Sequence, residues 1–481
     1  MINVGSKGYK ALLLGCSMLI ASCAPQLNVD DQLDMVATPA SWQSADIVSV
    51  DDQLSWLSND SDMADLTEIV TKALDNNPDL RISANRLRTS LAQQSITDGA
   101  RSITGDLTLG ASRNGDFESG TPDNQNFSLR GGLAWEADIW GRLASNSASA
   151  EQSVRATKND LDYARMSLAT RTAQRYFDVI EAVMQVALLE QNLEKLLQAQ
   201  DLVDRRYDRG IADVLDMLQI QTNVATAKSN LANQQQTVIQ RMRTLEVLIG
   251  SYPSGKADGD LTLPSLDTLM NTGIPTNLLE KRPDIMAAKN RVLAANYNLE
   301  SAKKALYPSL RVSGSTSMSG SEISDIADID ELVWSVVGNM VQPILDGTRR
   351  RSQVVINEVA LDTSLANYLK TVLNAYQETE NALTAEMTLA EQERHLTIAV
   401  DRAVYSEERA LDQYSKGLVD ILSLVNVQRN RISSQQSLLR VKYRRLLNRA
   451  DLHLALGGEN LETYINQMTG TNEPVNNQGS L

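Results

Sequence analysis

The chain has 481 residues, 42% hydrophobic and only 4% aromatic, with 60 acidic against 45 basic residues and a net charge of −15. That acidity opposes binding to a nucleic-acid polyanion, and three phenylalanines are too few for a conventional large aromatic core. Its two cysteines, Cys16 and Cys23, both lie near the N-terminus, so the rest of the chain has no disulfide or thiol chemistry.

Residues 1–22 read as a secretory signal. Lys7 and Lys10 precede an apolar run from Ala11 to Ile20 that is too short to span a bilayer. The run ends in Ile20-Ala21-Ser22-Cys23, which resembles a bacterial lipobox. Cleavage before Cys23 would make it the lipidated residue, carrying palmitate, and Ala24 after it favours the outer membrane. An ordinary signal peptide with a chance cysteine is the competing reading. Loss of Lys7 and Lys10 leaves 43 basic against 60 acidic residues, or −17. A conduit lined by this chain is therefore expected to prefer cations, unless the acids face outward and serve solubility.

The remainder is written twice. Asn77-Pro78-Asp79-Leu80 returns as Arg282-Pro283-Asp284-Ile285, Gly141 as Gly347, Tyr207-x-x-Gly210 as Tyr414-x-x-Gly417, and Leu248-Ile249-Gly250 as Ala455-Leu456-Gly457. The offsets of 205 to 207 residues mark a duplicated architecture. The expected organisation is a signal at 1–22, an N-terminal anchor and equatorial segment at 23–60 and a first repeat at 61–250. An equatorial connection follows at 251–275, then a second repeat at 276–457 and a C-terminal equatorial segment with a disordered tail at 458–481. Each repeat reads helix, two strands, very long helix, helix.

The strands alternate. Phe127, Leu129, Leu133, Trp135 and Ile139 interleave with Ser128, Arg130, Ala134, Glu136 and Asp138. Leu107 and Leu109, Leu310 to Met318, and Leu332 to Met340 behave likewise. One apolar and one polar face over 10–13 residues suits a transmembrane barrel, although a half-buried soluble sheet has the same pattern. Four strands cannot close alone in lipid, where an open edge leaves backbone groups unpaired. Three chains would supply twelve.

Arg142 to Arg209 and Thr348 to Lys416 contain neither glycine nor proline. As single helices each would run about 100 Å. Each ends at Tyr-x-x-Gly and is followed by a second clean run, Ile211 to Ile249 and Leu418 to Leu456, so each pair predicts an antiparallel hairpin. Asp213 and Asp420 stand where a helix N-cap belongs.

With Leu279-Glu280-Lys281-Arg282-Pro283-Asp284-Ile285, Asp138-Ile139-Trp140-Gly141-Arg142, Tyr307-Pro308-Ser309-Leu310, Pro343-Ile344-Leu345-Asp346-Gly347 and Leu456-Gly457-Gly458 added, the chain resembles the TolC family of outer-membrane factors. The likeness is to its lipoprotein branch, typified by OprM and NodT. The resemblance implies a mainly α chain with a β-barrel contribution. In a homotrimer, the four strands and long antiparallel helices per chain would form a twelve-stranded outer-membrane barrel continuous with a periplasmic α-helical barrel. It further implies the passive exit duct of a tripartite efflux pump for small molecules such as drugs. The implied partners are a periplasmic adaptor, an inner-membrane transporter of the RND type and outer-membrane lipid. A duct for type I protein secretion and a structural coiled-coil lipoprotein are the alternatives.

The resemblance also places a periplasmic gate at the hairpin tips. Tyr414 matches the family's network tyrosine and Asp216 its partner carboxylate, with Gln219 beside it. The family's tip arginine falls at Val419, a departure, and its two acidic ring positions at Ser423 and Asn426. Asp420 is a candidate for the missing charge and Leu422 for an apolar constriction. Arg349, Arg350 and Arg351, directly after a strand, are expected at the membrane boundary beside lipid phosphates. No catalytic, cofactor or metal constellation stands out. Gly250 to Ala257 nearly spells a phosphate-binding loop but lacks the final hydroxyl residue and follows a helix. His395 and His453 have no ligand at metal spacing.

Overall fold

The computed structural model describes residues 42–43, 64–114, 124–256, 262–264, 266, 279, 281–324 and 332–458. Cys23, the signal, the tail and most of the equatorial segments lie outside the described residues.

The first repeat comprises α1 (Ala64–Asn76), α2 (Pro78–Gly99), β1 (Thr104–Asn114), β2 (Asn124–Ala137), α3 (Arg142–Asp208) and α4 (Val214–Leu248). The second comprises α5 (Pro283–Lys304), β3 (Ser309–Gly320), β4 (Val333–Val341), α6 (Arg349–Ser415) and α7 (Ile421–Ala455). Both α3 and α6 are 67 residues long, about 100 Å each. They stop where the sequence changes: Gly210 and Gly417 take φ of 71° and 74°, a left-handed conformation that glycine adopts without penalty. Pro78 and Pro283 sit at the first turn of α2 and α5, where a missing N–H costs nothing.

The second strand stops at Ala137, two residues short of its expected end at Ile139. Asp138 is needed elsewhere. Its carboxylate accepts from the Leu143 and Ala144 amides at 3.0 and 2.7 Å, satisfying two donors at the start of α3. Gly141, at the cap position, has no side chain to do so.

The strands form one antiparallel sheet in the order β1-β2-β3-β4. Its register puts Leu107 opposite Gly131, Gly131 opposite Thr316 and Thr316 opposite Trp334, so the apolar faces of all four strands coincide. Helix packing is laminar. Toward the sheet α3 lies between α2 and α5, and α5 between α3 and α6; toward the far end α3 is flanked by α4 and α7, and α7 by α3 and α6. Two of the apolar clusters in this array are large. Leu66, Val70, Tyr176, Phe177, Leu245 and Leu446 form one. Ala199, Val203, Ile220, Val224, Leu424 and Val425 form the other, near the hairpin tips.

Candidate functional site: sheet and hairpin tips

The sheet's apolar face is bare. Leu107 is 76% exposed and Trp334 74%, with Leu109, Leu133, Val336 and Met340 beside them. The opposite face carries serines and charges: Ser315 and Ser335 hydroxyls meet at 2.9 Å, and Glu136 pairs with Arg142 at 2.6 Å. Apolar side chains facing away and a polar inner face are what lipid outside and water inside require. No described helix is long and apolar enough to cross a membrane. Trp140 stacks on Tyr307 with centroids 5.1 Å apart and donates to the Pro308 carbonyl at 2.8 Å, fixing an aromatic pair where strands give way to helices. Aromatic residues concentrate at such interfaces.

The arginine triplet divides. Arg350 turns inward, donating to the Ala305 carbonyl at 2.9 Å, while the Asp346 carboxylate accepts from its amide at 3.3 Å. Asp346 thus offsets the unfavourable cations at this helix N-terminus. Arg349 and Arg351 stay exposed.

At the far end the expected gate residues converge on the two hairpin tips. Tyr414 is buried, Asp216 and Gln219 are half-buried, and Asp420, Leu422, Ser423 and Asn426 are exposed. The Tyr414 hydroxyl has no hydrogen-bond partner among the described residues, Asp216 included. Burial pushes its pKa up, Arg206 opposes that, and Asp216 adds to it. The side chain that does hold Tyr414 is Arg206. Its guanidinium lies 5.0 Å over the ring, and Nη1 donates to the Tyr414 carbonyl at 2.7 Å. A second tie runs from Arg429 to the Asn223 carboxamide at 2.9 Å. Neither arginine was singled out by the sequence, which compared only the family's own tip position at Val419. The signal available at the first tip was Arg205-Arg206, little more than one turn before Gly210.

Asp420 is the N-cap of α7. Its carboxylate accepts from the Ser423 amide at 2.8 Å, and its pKa is lowered by that residue's hydrogen bonds. Asp213 occupies the equivalent position on α4 without a side-chain cap bond. The loop at Gly250 to Lys256 closes on a carboxylate. Glu246 accepts from the Ser254 hydroxyl at 2.5 Å and the Gly255 amide at 2.8 Å.

A sheet with a bare apolar face joined to paired helices of about 100 Å defines the wall of an outer-membrane duct. The family model for outer membrane efflux proteins matches residues 69–251 and again 274–458, once per repeat. The chain belongs to this outer membrane efflux protein family and is an outer-membrane efflux channel protein. It is 30% identical to the outer membrane protein OprJ of Pseudomonas aeruginosa over 459 residues, covering 93% of this chain and 94% of that one. It is 28% identical to the cation efflux system protein CusC of Escherichia coli K12 over 394 residues, covering 81% and 86%. A solved structure of CusC superposes with a TM-score of 0.78 at 25% identity, covering 88% of this chain and 98% of that one. Its members are channel or transport proteins.

Proposed function

We propose that three copies of the chain enclose one continuous passage, a twelve-stranded barrel in the outer membrane opening into a periplasmic helical barrel. The passage serves as the passive exit duct of a tripartite pump for small molecules. The observation that carries this reading is the pair of open edges. β1 and β4 each have one unpaired side, and a four-stranded sheet with a lipid-facing surface must pair both. The helices have matching edges. α2 buries no residue within the chain, leaving Ile82, Leu91 and Ile96 bare, while α6 exposes Val355, Ile356 and Val359. A neighbouring copy brings such surfaces together in a head-to-tail ring that closes.

In this reading Cys23 bears the lipid and Arg349 and Arg351 face inner-leaflet phosphates, at about 1 kcal/mol each. The hairpin tips, with Tyr414, Asp216 and Leu422, close the periplasmic end and meet the adaptor that links the duct to an RND-type transporter. Mass measurement in mild detergent tests the assembly. Three chains are expected; a monomer retaining strand signal in circular dichroism would rule it out.

A further inference from the structure

We infer that Arg440 and Arg444 on α7 form a cationic, anion-recognising collar inside the helical tunnel and set its selectivity toward small anions and anionic solutes. This rests on the enclosure just proposed. α7 is flanked on both sides by helices of its own chain, α3 and α6, so a second copy does not cover it. Its remaining two faces therefore look into the tunnel or out to the periplasm.

Trp42 tells them apart. It packs on Ala382, Leu383 and Leu452, and the Gln43 amide donates to Glu380 at 2.8 Å. Residues packed on the inner wall would narrow the passage, so the side of the α6–α7 hairpin bearing Trp42 and Gln43 is assigned as the outer side. Helical spacing extends that side of α6 from Leu383 to Asp401, five turns on, and then to Glu408 and Asp412. The opposite side of α6 carries Asn381, Ala385, Thr388, Gln392, Ala399 and Ser406, bordered beside Thr388 and Gln392 by Glu391, which pairs with Arg394 at 2.6 Å. A groove of about 480 Å³ on that side is lined by Asn381, Thr384 and Thr388 together with Arg444, Asn448 and Asp451 of α7.

On α7 the face that includes Arg444 continues at alternating steps of three and four. It runs through Ser423, Asn426, Asn430, Ser433 and Ser437, then Arg440 and Arg444. Hydroxyls and amides thus lead to two arginines about 6 Å apart along the helix and roughly 26 Å from Ser423. Both arginines are exposed and neither has an ion-pair partner among the described residues. By contrast, Arg431 and Arg449 are buried and bonded to Glu407 and Glu386 at 2.8 and 2.7 Å. Asp451, a further heptad on, accepts from Gln174 at 2.6 Å and ends the cationic stretch. The sheet adds no net charge on its polar face, where Asp106 and Glu136 are matched by Arg130 and Arg311. Asp401, Glu408 and Asp412 of α6 thus lie on the outer side, so net charge alone does not set the preference of the tunnel. Three chains would present six guanidinium groups, whose donors suit carboxylate, sulfonate or phosphate, in a narrow passage that focuses their field.

The test is reversal potential in a potassium chloride gradient across a planar bilayer holding the full-length protein. Arg440→Gln with Arg444→Gln should lower the chloride-to-potassium permeability ratio at least about threefold at low salt, with the difference shrinking toward 1 M as screening shortens. Lys442→Gln lies between them in sequence but on the Trp42 side, and should leave the ratio unchanged. Citrate should reduce the wild-type current more than that of the double variant. A double variant with wild-type conductance and an unmoved reversal potential overturns the collar while leaving the duct standing. So does a Lys442→Gln shift as large. A protein that is monomeric and forms no channel overturns the enclosure, and the collar with it.

Discussion

Arg282 donates through Nη1 to the Ala455 carbonyl at 3.2 Å, tying the start of α5 to the end of α7. Asn77 does the same for the first repeat, donating to the Leu248 carbonyl at 2.8 Å at the end of α4. The two residues are counterparts in the duplication, as are the two carbonyls, and each satisfies one of the orphan acceptors a helix leaves at its C-terminus. The second tie is stronger in charge. Arg282 is 2% exposed and grips Asp284 at 2.7 Å and Glu378 at 2.8 Å.

Asp284→Ala should therefore destabilise more than Arg282→Met. The first leaves a buried guanidinium with half-exposed Glu378 as its one remaining carboxylate beside the Ala455 carbonyl, at a cost of roughly 3 kcal/mol or more. The second leaves carboxylates that water can reach. Urea unfolding of the detergent-solubilised protein, followed by tryptophan fluorescence, orders the two. The reverse order would show that the arginine's packing outweighs its charge.

Arg206→Ala should loosen the tips. It removes the hydrogen bond to the Tyr414 carbonyl and the stacked guanidinium, which tie α3 to the end of α6 beside the apolar cluster of Ala199, Val203, Ala410 and Tyr414. Single-channel conductance is expected to rise, with Arg206→Lys intermediate because a lysine keeps charge but not the planar stack. Leu422→Ser should raise conductance independently if its exposed side chain narrows the passage. Conductance equal to wild type in both would remove these residues from the gate.

Asp420 holds two separable roles. Asp420→Ala deletes the cap on the Ser423 amide and should cost about 1 kcal/mol at the start of α7. Asp420→Ser keeps a capping oxygen and deletes only the charge. Faster amide exchange at the tip in the alanine variant alone identifies the cap. A conductance change in both identifies the charge.

His453 gives a signed pH dependence. Burial lowers its pKa from 6.5 to about 4, so the folded state holds the neutral ring. The unfolded state takes up a proton first as pH falls below 6.5, so the stabilising contribution present above that value declines toward pH 4 and is lost below it. His453→Gln should flatten this part of the stability curve between pH 6.5 and 4. An unaltered slope would assign the dependence to carboxylates.

Cys23→Ala should abolish incorporation of labelled palmitate while leaving assembly and conductance intact, because the barrel supplies its own membrane contact. Label retained in the variant would place the lipid elsewhere.

The sequence by itself determined the plan: the duplication, the helix limits at Gly210 and Gly417, and the alternation that puts Leu107 and Trp334 on one face. These are local signals, set by backbone freedom at glycine and by side-chain period, and they need no knowledge of what packs on what. Its comparison with the family also marked the tips, through Tyr414 and Asp216. Only the tertiary structure decided what touches Tyr414. Arg206 and Tyr414 are 208 positions apart, and no local pattern pairs an arginine on one helix with a ring on another. The same holds for Asn77 and Leu248, and for Asp138, which the strand's alternation claimed but the first amides of α3 took. The direction of the charges was likewise beyond reach. Net charge carries no positions, whereas the contact of Trp42 with Leu383 and Leu452 distinguishes one side of the α6–α7 hairpin from the other.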